Sequence, residues 1–208
     1  MSYLMPGLVT CLRGDSGRLR QVLINLLGNA VKFTDAGEVV LTVRNHESGR
    51  PGEVEFAVSD MGTGIAADKL ETIFDRFTQA DSSIARKYGG TGLGLEISHR
   101  LVESMGGELT ATSHLGKGSN FRFNVPFELG TEVETAGAVR VTNLHGRRVL
   151  VIVDNATSRF ILGQTLRSWG LKSTEFGDPF GGVACLAAET EASRPFSLVL
   201  VDSEMPGM

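Results

Sequence analysis

Residues 86–95, RKYGGTGLGL, are the stretch around which this sequence is organised. Four glycines fall within six residues there, and a helical pattern begins directly behind them at Glu96. Glycine lets a backbone approach a ligand closely, and a helix N-terminus offers free N–H groups and a positive dipole end, which suits phosphate. Arg86 and Lys87 add positive charge just upstream. Taken alone the stretch could equally be a flexible surface loop, so the rest of the sequence must decide.

Length and composition exclude several classes of protein. The 208 residues suffice for one or two domains, and 41% hydrophobic with 21% charged residues is ordinary for a globular protein. A net charge of −4 argues against a nucleic-acid-binding surface. Without a membrane-length apolar run or a signal peptide, we expect a cytoplasmic fragment of a longer protein with no membrane contact of its own. Cys11 and Cys185 match no motif, which fits a reducing compartment.

The strongest helical pattern covers residues 16–33, after a turn and helix cap at residues 14–16. Apolar residues at helical spacing predict one face packed on a core, namely Leu19, Val22, Leu23, Leu26 and Ala30. Asn25, Asn29 and Lys32 share the opposite face. Because asparagine is a mediocre helix former, two on one stripe favour ligand binding over a solvated surface. Amide oxygens suit Mg²⁺, and the lysine suits a phosphate.

A second chemical signal follows a predicted hairpin. Alternating apolar and polar residues predict strands at 38–45 and 54–59, joined by a polar loop at 46–52. The second strand runs into residues 60–65, DMGTGI. Asp60 at the strand end can hydrogen-bond the edge of a base while the glycines make room, and a simple turn aspartate is the alternative.

The remaining pattern of the first part mixes short helices and strands. We predict a strand at 9–12, helices at 66–74 and 96–105, and strands at 108–113 and 120–126. Residues 106 and 107 are glycines that end the second of these helices. His99 lies inside that helix, and we expect an ordinary helix residue there, not a phosphoacceptor.

A second domain is predicted after a linker. Residues 129–146 lack periodicity, and from residue 147 to 208 strands alternate with helices. Strands are predicted at 148–153, 171–176 and 197–201, with helices at 157–169 and 183–192. This alternation implies a parallel sheet. Asp154 and Asp202 follow strand ends, where open α/β sheets place their sites.

Four short sequence motifs, in the same order along the chain, resemble the motifs called boxes in histidine kinases. The usual phosphate-loop, dinucleotide-binding and protein-kinase motifs are absent from the sequence. Residues 25–34, NLLGNAVKFT, resemble the N box, and 60–65 the G1 box. Residues 73–77, IFDRF, resemble the F box, 90–95, GTGLGL, the G2 box, and 116–121, GKGSNF, the final glycine turn. Residues 147–208 are similar to the first half of a response-regulator receiver domain. The whole order resembles a hybrid sensor histidine kinase.

This resemblance implies an α/β fold, with a two-layer α/β sandwich of the histidine-kinase ATPase type over residues 1–128. A partial parallel α/β receiver-like domain would follow over residues 147–208. ATP and Mg²⁺ are the implied cofactors, with Asn29 as the metal ligand, Asp60 on the adenine amino group and residues 90–95 as a lid. The implied catalytic residues are Asn25, Asn29 and Lys32. The implied cofactor-binding residues are Asn29, Lys32, Asp60, Gly62, Gly64, Ile65, Phe77, Arg86, Lys87, Gly90, Thr91, Gly92, Leu93, Gly94, Leu95 and Ser119.

The type of residue at the position of Asn25 distinguishes kinases from hydrolases within this superfamily. Gyrase-like and chaperone-like ATPases carry a glutamate there as a base for water, and an amide has no useful basicity. The resemblance therefore implies transfer of the γ-phosphate to a histidine of a dimerisation domain, and onward to a response regulator or phosphotransfer protein. These 208 residues hold no such histidine motif, so we do not expect the fragment to autophosphorylate alone. A degenerate module that binds nucleotide or partners is the alternative.

Two further expectations concern the lid and the receiver-like part. Residues 81–90 are polar and end in glycine, so we expect them to be the most mobile part of the first domain without ligand.

Asp202, with Asp154 nearby, resembles a receiver phosphoacceptor. A receiver normally has two adjacent acids after its first strand, and Val153 takes the place of one. Because attack by a carboxylate on phosphorus needs Mg²⁺ to screen charge, we expect no phosphate at Asp202.

Overall fold

The computed structural model describes residues 1–75, 93–130 and 144–205, and the chain divides into two units, Met1–Val133 and Glu134–Met208. Within the described ranges, no helix combines the length and apolar character needed to cross a membrane. The elements of the first unit are β1 (Ser2–Leu4), β2 (Leu12–Arg13), α1 (Ser16–Phe33), β3 (Val39–Asn45), β4 (Glu53–Asp60), α2 (Ala67–Leu70), α3 (Gly94–Ser104), β5 (Glu108–His114), β6 (Gly118–Pro126) and β7 (Glu128–Leu129).

The first unit is built on a mixed sheet with the strand order β1-β3-β4-β6-β5. Strands β3 to β6 pair antiparallel, while β1 runs parallel to β3 along the edge. The apolar stripe of α1 packs on this sheet, and Val102 of α3 joins the same core. In that core the rings of Phe56 and Phe123 stack with centroids 4.8 Å apart. The unit is therefore a two-layer α/β arrangement in which α1 turns its other face away from the sheet.

The predicted helices and strands of the first part are largely confirmed, and α1 has the predicted bounds. Asp15 caps it, since its Oδ1 accepts from the N–H of Arg18 at 3.0 Å. Apolar periodicity and a capping residue are local signals, so they locate a helix without tertiary information.

At the periphery, one strand was not predicted and two predicted elements are wrong in extent. Residues 2–4, given no element from the sequence, form β1 because their backbone pairs with the edge of β3. The strand expected at 9–12 shrinks to Leu12–Arg13, paired with β7, and the N–H of Val9 instead bonds the Oδ1 of Asn45 at 3.1 Å. The helix expected at 66–74 ends at Leu70 and continues as a turn.

The second unit has the predicted parallel sheet, with strand order β10-β8-β9. Its described elements are β8 (Arg148–Ile152), α4 (Ala156–Ser168), β9 (Lys172–Phe176), α5 (Pro179–Glu191) and β10 (Leu198–Val201). Residues of β8 are buried on both faces, Val149 and Val151 towards Leu166 in one cluster and Leu150 towards Met205 in another. Helix α5 begins four residues before the predicted start, because Asp178 caps it by accepting from the N–H of Gly181 at 2.6 Å.

Candidate functional site

The polar face of α1 is the wall of an open cleft of about 500 Å³, and the lining residues in the described ranges all belong to this helix. Asn25, Asn29 and Lys32 all lie on this wall and are half-buried, as their shared stripe predicts. The extension of the cleft along the helix was not predicted from the sequence. The additional lining residues are Gly17, Arg20, Gln21, Ile24 and Gly28. Gly17 and Gln21 precede Asn25 at intervals of four residues, so helical periodicity could have found this extension of the stripe.

Asp60 ends β4 and is half-buried. Its Oδ1 accepts from the N–H of Gly62 at 2.9 Å and from the N–H of Ser119 at 3.3 Å. Both of these hydrogen bonds fall on the same oxygen. The other oxygen, Oδ2, is therefore available to accept from a ligand such as an amino group on a base.

The loop of residues 60–65 is clamped between α1 and the β5–β6 turn. A Cβ added at Gly62 would collide with the carbonyl oxygen of Phe33, the last residue of α1. Gly64 has a φ of +69°, and a Cβ there would collide with the carbonyl oxygen of His114. These two glycines let the loop touch both neighbours. As a result, Asp60 is brought to the C-terminal end of the helix that carries Asn29 and Lys32.

The hydroxyl of Ser113, which was not predicted as a functional group, hydrogen-bonds to two predicted ligand-binding residues, Ile65 and Ser119. Ser113 Oγ accepts from the N–H of Ile65 at 2.7 Å and lies 3.1 Å from Ser119 Oγ. It also donates to the carbonyl oxygen of Gly118 at 2.8 Å. Ser119 is buried. Ser113 thus connects Ile65 with Ser119, its partner on the neighbouring strand β6, and its bond to Ile65 joins residues 48 positions apart.

Asn25 contacts the first two turns of α3. Its Nδ2 donates to Ser98 Oγ at 2.8 Å, and a Cβ added at Gly94 would collide with its Oδ1. Because α3 starts at Gly94, the end of the glycine-rich stretch lies against the N-box helix. Leu93 is the N-cap residue and makes no side-chain capping bond, while Leu95 packs on the core.

Several predicted binding residues lie outside the described part of the chain. These are Phe77, Arg86, Lys87, Gly90, Thr91 and Gly92, and the mobility expected for residues 81–90 falls in the same gap. Lys32 is the predicted phosphate-binding cation that lies within the described residues. Its Nζ lies 5.0 Å from the centroid of the Phe33 ring, next to the clamped loop.

His99 has the ordinary structural role that the sequence predicts. Its ring stacks on Phe74 with centroids 5.2 Å apart, and its Nδ1 lies 3.6 Å from Oε2 of Glu103, one turn along α3. The residue thereby joins α3 to the segment resembling the F box.

In the second unit Asp154 and Asp202 follow the C-terminal ends of two neighbouring parallel strands, β8 and β10. Ile152 and Val201 are paired in register, and the N–H of Asp202 donates to the carbonyl oxygen of Ile152 at 2.9 Å. Asp154 follows the same strand end. Oδ1 of Asp154 accepts from the N–H of Asn155 at 2.6 Å, and Oδ1 of Asp202 accepts from the N–H of Glu204 at 3.1 Å.

Val153 is 7% exposed and belongs to the apolar cluster of Val149, Val151 and Leu166. The position therefore serves core packing. In the part of the chain that the structure describes, no three His, Cys, Asp or Glu side chains are placed to hold a metal ion together.

Comparisons with known proteins agree with this architecture. Residues 14–129 match the family described as histidine kinase-, DNA gyrase B-, and HSP90-like ATPase. The chain is 41% identical to the sensor histidine kinase AruS of Pseudomonas aeruginosa, over 94% of this chain and 19% of that protein. It is 40% identical to the sensor protein TorS of Escherichia coli, over 94% of this chain and 20% of that protein. The chain thus spans about a fifth of the length of these two relatives.

A solved structure resembles this chain in its three-dimensional fold. Full-length ShkA in complex with AMPPNP superposes with a TM-score of 0.70 at 36% identity, over 88% of this chain and 36% of that chain. The family match covers more than half of the 208 residues. The chain therefore belongs to the histidine kinase-, DNA gyrase B- and HSP90-like ATPase family, and residues 14–129 are an ATP-binding domain of the kind found in the histidine kinases of two-component signalling.

Proposed function

We propose that this chain binds ATP with Mg²⁺ along the polar face of α1 and supplies the γ-phosphate to a histidine on a dimerisation domain. The observation that carries the proposal is the contact between Gly62 and Phe33, which brings Asp60 to the end of the helix that carries Asn25, Asn29 and Lys32. A base-binding carboxylate and a phosphate-binding stripe thereby become parts of one site.

The adenine end of the site is assigned to Asp60 and its loop. Oδ2 of Asp60 would accept from the adenine amino group, since the backbone N–H groups of Gly62 and Ser119 bind Oδ1. Gly64 and Ile65 complete this wall, and the two glycines let the backbone of the loop lie against α1 and the β5–β6 turn.

The phosphate end is assigned to Asn29 and Lys32 in the C-terminal half of α1 and to the start of α3. Asn29 would hold Mg²⁺ through its amide oxygen, which is a hard ligand of the type this ion prefers. When bound, the ion would neutralise phosphate charge. Lys32 would add a full positive charge. The N-terminus of α3 has no side-chain cap at Leu93, so its N–H groups at Gly94 and Leu95 suit an anion.

The reaction we propose is phosphoryl transfer to nitrogen. An imidazole nitrogen of the acceptor histidine attacks the γ-phosphorus and forms an N–P bond. The bond from that phosphorus to the bridging oxygen breaks, ADP leaves with the electron pair, and the imidazole proton passes to solvent. The protein contributes positioning and charge stabilisation. Because Asn25 cannot act as a base, water is not activated at this position.

The wider protein is proposed to be a hybrid sensor histidine kinase with cytoplasmic catalytic parts. Residues 1–128 would be the catalytic domain, 129–146 a linker and 147–208 the first half of a receiver-like domain. Alignments over 94% of the chain support a shared second unit, as does its parallel sheet with Asp154 and Asp202 at one edge. A downstream response regulator or phosphotransfer protein would take the phosphate. The buried Val153 favours a receiver-like unit that has lost phosphate acceptance.

The deciding experiment has two steps. Titration calorimetry with a non-hydrolysable ATP analogue, with and without Mg²⁺, should show binding that the ion strengthens. Radiolabelled γ-phosphate should then move from ATP to a separately added dimerisation domain carrying its histidine, with little free phosphate released. Absence of analogue binding would reject the nucleotide site. Rapid release of free phosphate without transfer would replace the kinase by a hydrolase.

A further inference from the structure

Ser98 is a buried hydroxyl at the contact between α1 and α3. It is 1% exposed, the lowest value among the buried polar residues in the described ranges. Polar groups are buried at a cost unless they are hydrogen-bonded. The partner of Ser98 is the side-chain amide of Asn25, at 2.8 Å.

The amide of Asn25 is confined on two sides by α3. Nδ2 donates to Ser98 Oγ, and Oδ1 faces Gly94, where an added Cβ would collide with it unless the amide moved. Gly94 and Ser98 are one helical turn apart, so they present a single surface to the amide. An asparagine side chain rotates broadly about its last bond, and this surface restricts that rotation.

We propose that Ser98 is a positioning residue that sets the side-chain amide of Asn25 for phosphotransfer. The inference rests on the proposed function and adds a residue to it. Ser98 acts through Asn25, because its buried hydroxyl accepts a hydrogen bond from the Asn25 amide inside the contact between α1 and α3. Gly94 links the same amide to the end of the glycine-rich stretch. The position of α3 is thereby coupled to the orientation of Asn25.

The matched test compares two serines of α3 that both contact α1. Ser98→Ala removes the hydroxyl bonded to Asn25. Ser104→Ala removes a hydroxyl that accepts from Arg18 of α1 at 3.1 Å, on an exposed part of the interface. We expect Ser98→Ala to lower the rate of phosphotransfer to an added dimerisation domain about tenfold, the effect of losing one buried hydrogen bond. The dissociation constant of the ATP analogue should stay within about twofold, and Ser104→Ala should match the parent in both. Equal transfer rates in Ser98→Ala and the parent would overturn the proposal.

A double-mutant cycle separates positioning from general destabilisation. In an Asn25→Ala background the amide is gone, so the additional Ser98→Ala change should alter the residual transfer rate less than about twofold. A further tenfold loss in that background would show that Ser98 acts independently of Asn25, and the proposal would be wrong.

A spectroscopic measurement keeps this inference distinct from the proposed function. In the parent, the Asn25 side-chain N–H signals should exchange slowly with solvent, and Ser98→Ala should shift them and accelerate their exchange. If the parent transferred no phosphate at all, the proposed function would fail. Unchanged Asn25 signals in Ser98→Ala would overturn the positioning role whether or not transfer occurs.

Discussion

The backbone N–H of Ser119 donates a 3.3 Å hydrogen bond to Oδ1 of Asp60, and the two residues are also direct partners across β4 and β6. The N–H of Gly62 binds the same oxygen. A carboxylate held in this way at a strand end is oriented by the sheet itself. The other oxygen, Oδ2, is then the group to which we assign recognition of the adenine in the proposed function.

Asp60→Asn should remove most nucleotide affinity. An amide accepts less strongly than a carboxylate, and loss of a hydrogen bond to a charged group costs about 1.5–3 kcal/mol, or roughly 10- to 150-fold in the dissociation constant. Calorimetry with the ATP analogue measures this directly. Asp68→Asn, an exposed site on α2, is the matched control and should bind like the parent. Parental affinity in Asp60→Asn would exclude the adenine assignment.

Asn29→Asp should abolish transfer while leaving the fold intact. The substitution preserves size on the half-buried wall of the cleft but places a negative charge where phosphates and Mg²⁺ would bind. We expect transfer to the added dimerisation domain to fall at least about a hundredfold, as for loss of a preorganised charge-stabilising group. The circular dichroism spectrum should be unchanged. Full transfer by this variant would remove Asn29 from the site.

Alanine at two glycines should have opposite effects on stability. At Gly62 a Cβ would collide with the backbone of Phe33, so the loop must move, and the free energy of unfolding should fall by about 1–3 kcal/mol. At Gly28, inside α1, a Cβ meets open space, and alanine should raise stability by about 0.5–1 kcal/mol. Denaturant titrations measure both changes. Equal stability of the two variants would contradict the clamped loop.

Acid should weaken the first unit through Glu53. Hydrogen bonds from Ser48 at 2.5 Å and from Asn124 at 2.6 Å hold the pKa of this buried carboxyl below its ordinary value, and His46 adds attraction when protonated. A lowered folded-state pKa contributes stability that is present above about pH 4.3 and is lost as the pH falls through the folded value.

The measurement for Glu53 is the free energy of unfolding from about pH 6 down to about pH 3, for the parent and Glu53→Gln. The advantage of the parent over the variant should shrink below about pH 4.3. Glu71→Gln, at an exposed position, is the control and should follow the parent. A parent–variant difference that does not change with pH would show that Glu53 contributes no linked stability.

Asp202 should not accept phosphate in this chain. Its neighbour on the sheet edge is Asp154, and the place of a second adjacent acid is taken by Val153 in the apolar core. Attack on phosphorus by a carboxylate requires a metal ion to screen the charges. Incubation with acetyl phosphate and Mg²⁺, followed by intact-mass measurement, should give no adduct. A stoichiometric adduct that disappears in Asp202→Ala would overturn this prediction.

Most helices and strands of this protein follow from local patterns in the chain. Helix α1 follows from its apolar spacing and the capping Asp15, and the parallel sheet of the second unit follows from alternating strand and helix patterns. The sequence also identifies the stripe of Asn25, Asn29 and Lys32, because helical periodicity alone places these residues on one face. Edge strand β1 does not follow from the sequence, since it needs only a backbone partner on β3 and no side-chain pattern.

Contacts between distant residues were decided by tertiary structure alone. Asn25 and Ser98 are separated by 73 positions, and Ile65 and Ser113 by 48, yet each pair is joined by a hydrogen bond. Such a bond forms only when helices and strands pack at a particular distance and rotation, and local sequence does not encode that geometry. The same packing brings Gly62 against Phe33 and so places Asp60 beside the helix that carries the predicted phosphate-binding residues. The sequence by itself thus determined which side chains are candidates for binding and transfer, and the packing of α1 against the loop and α3 decided which of them lie close together.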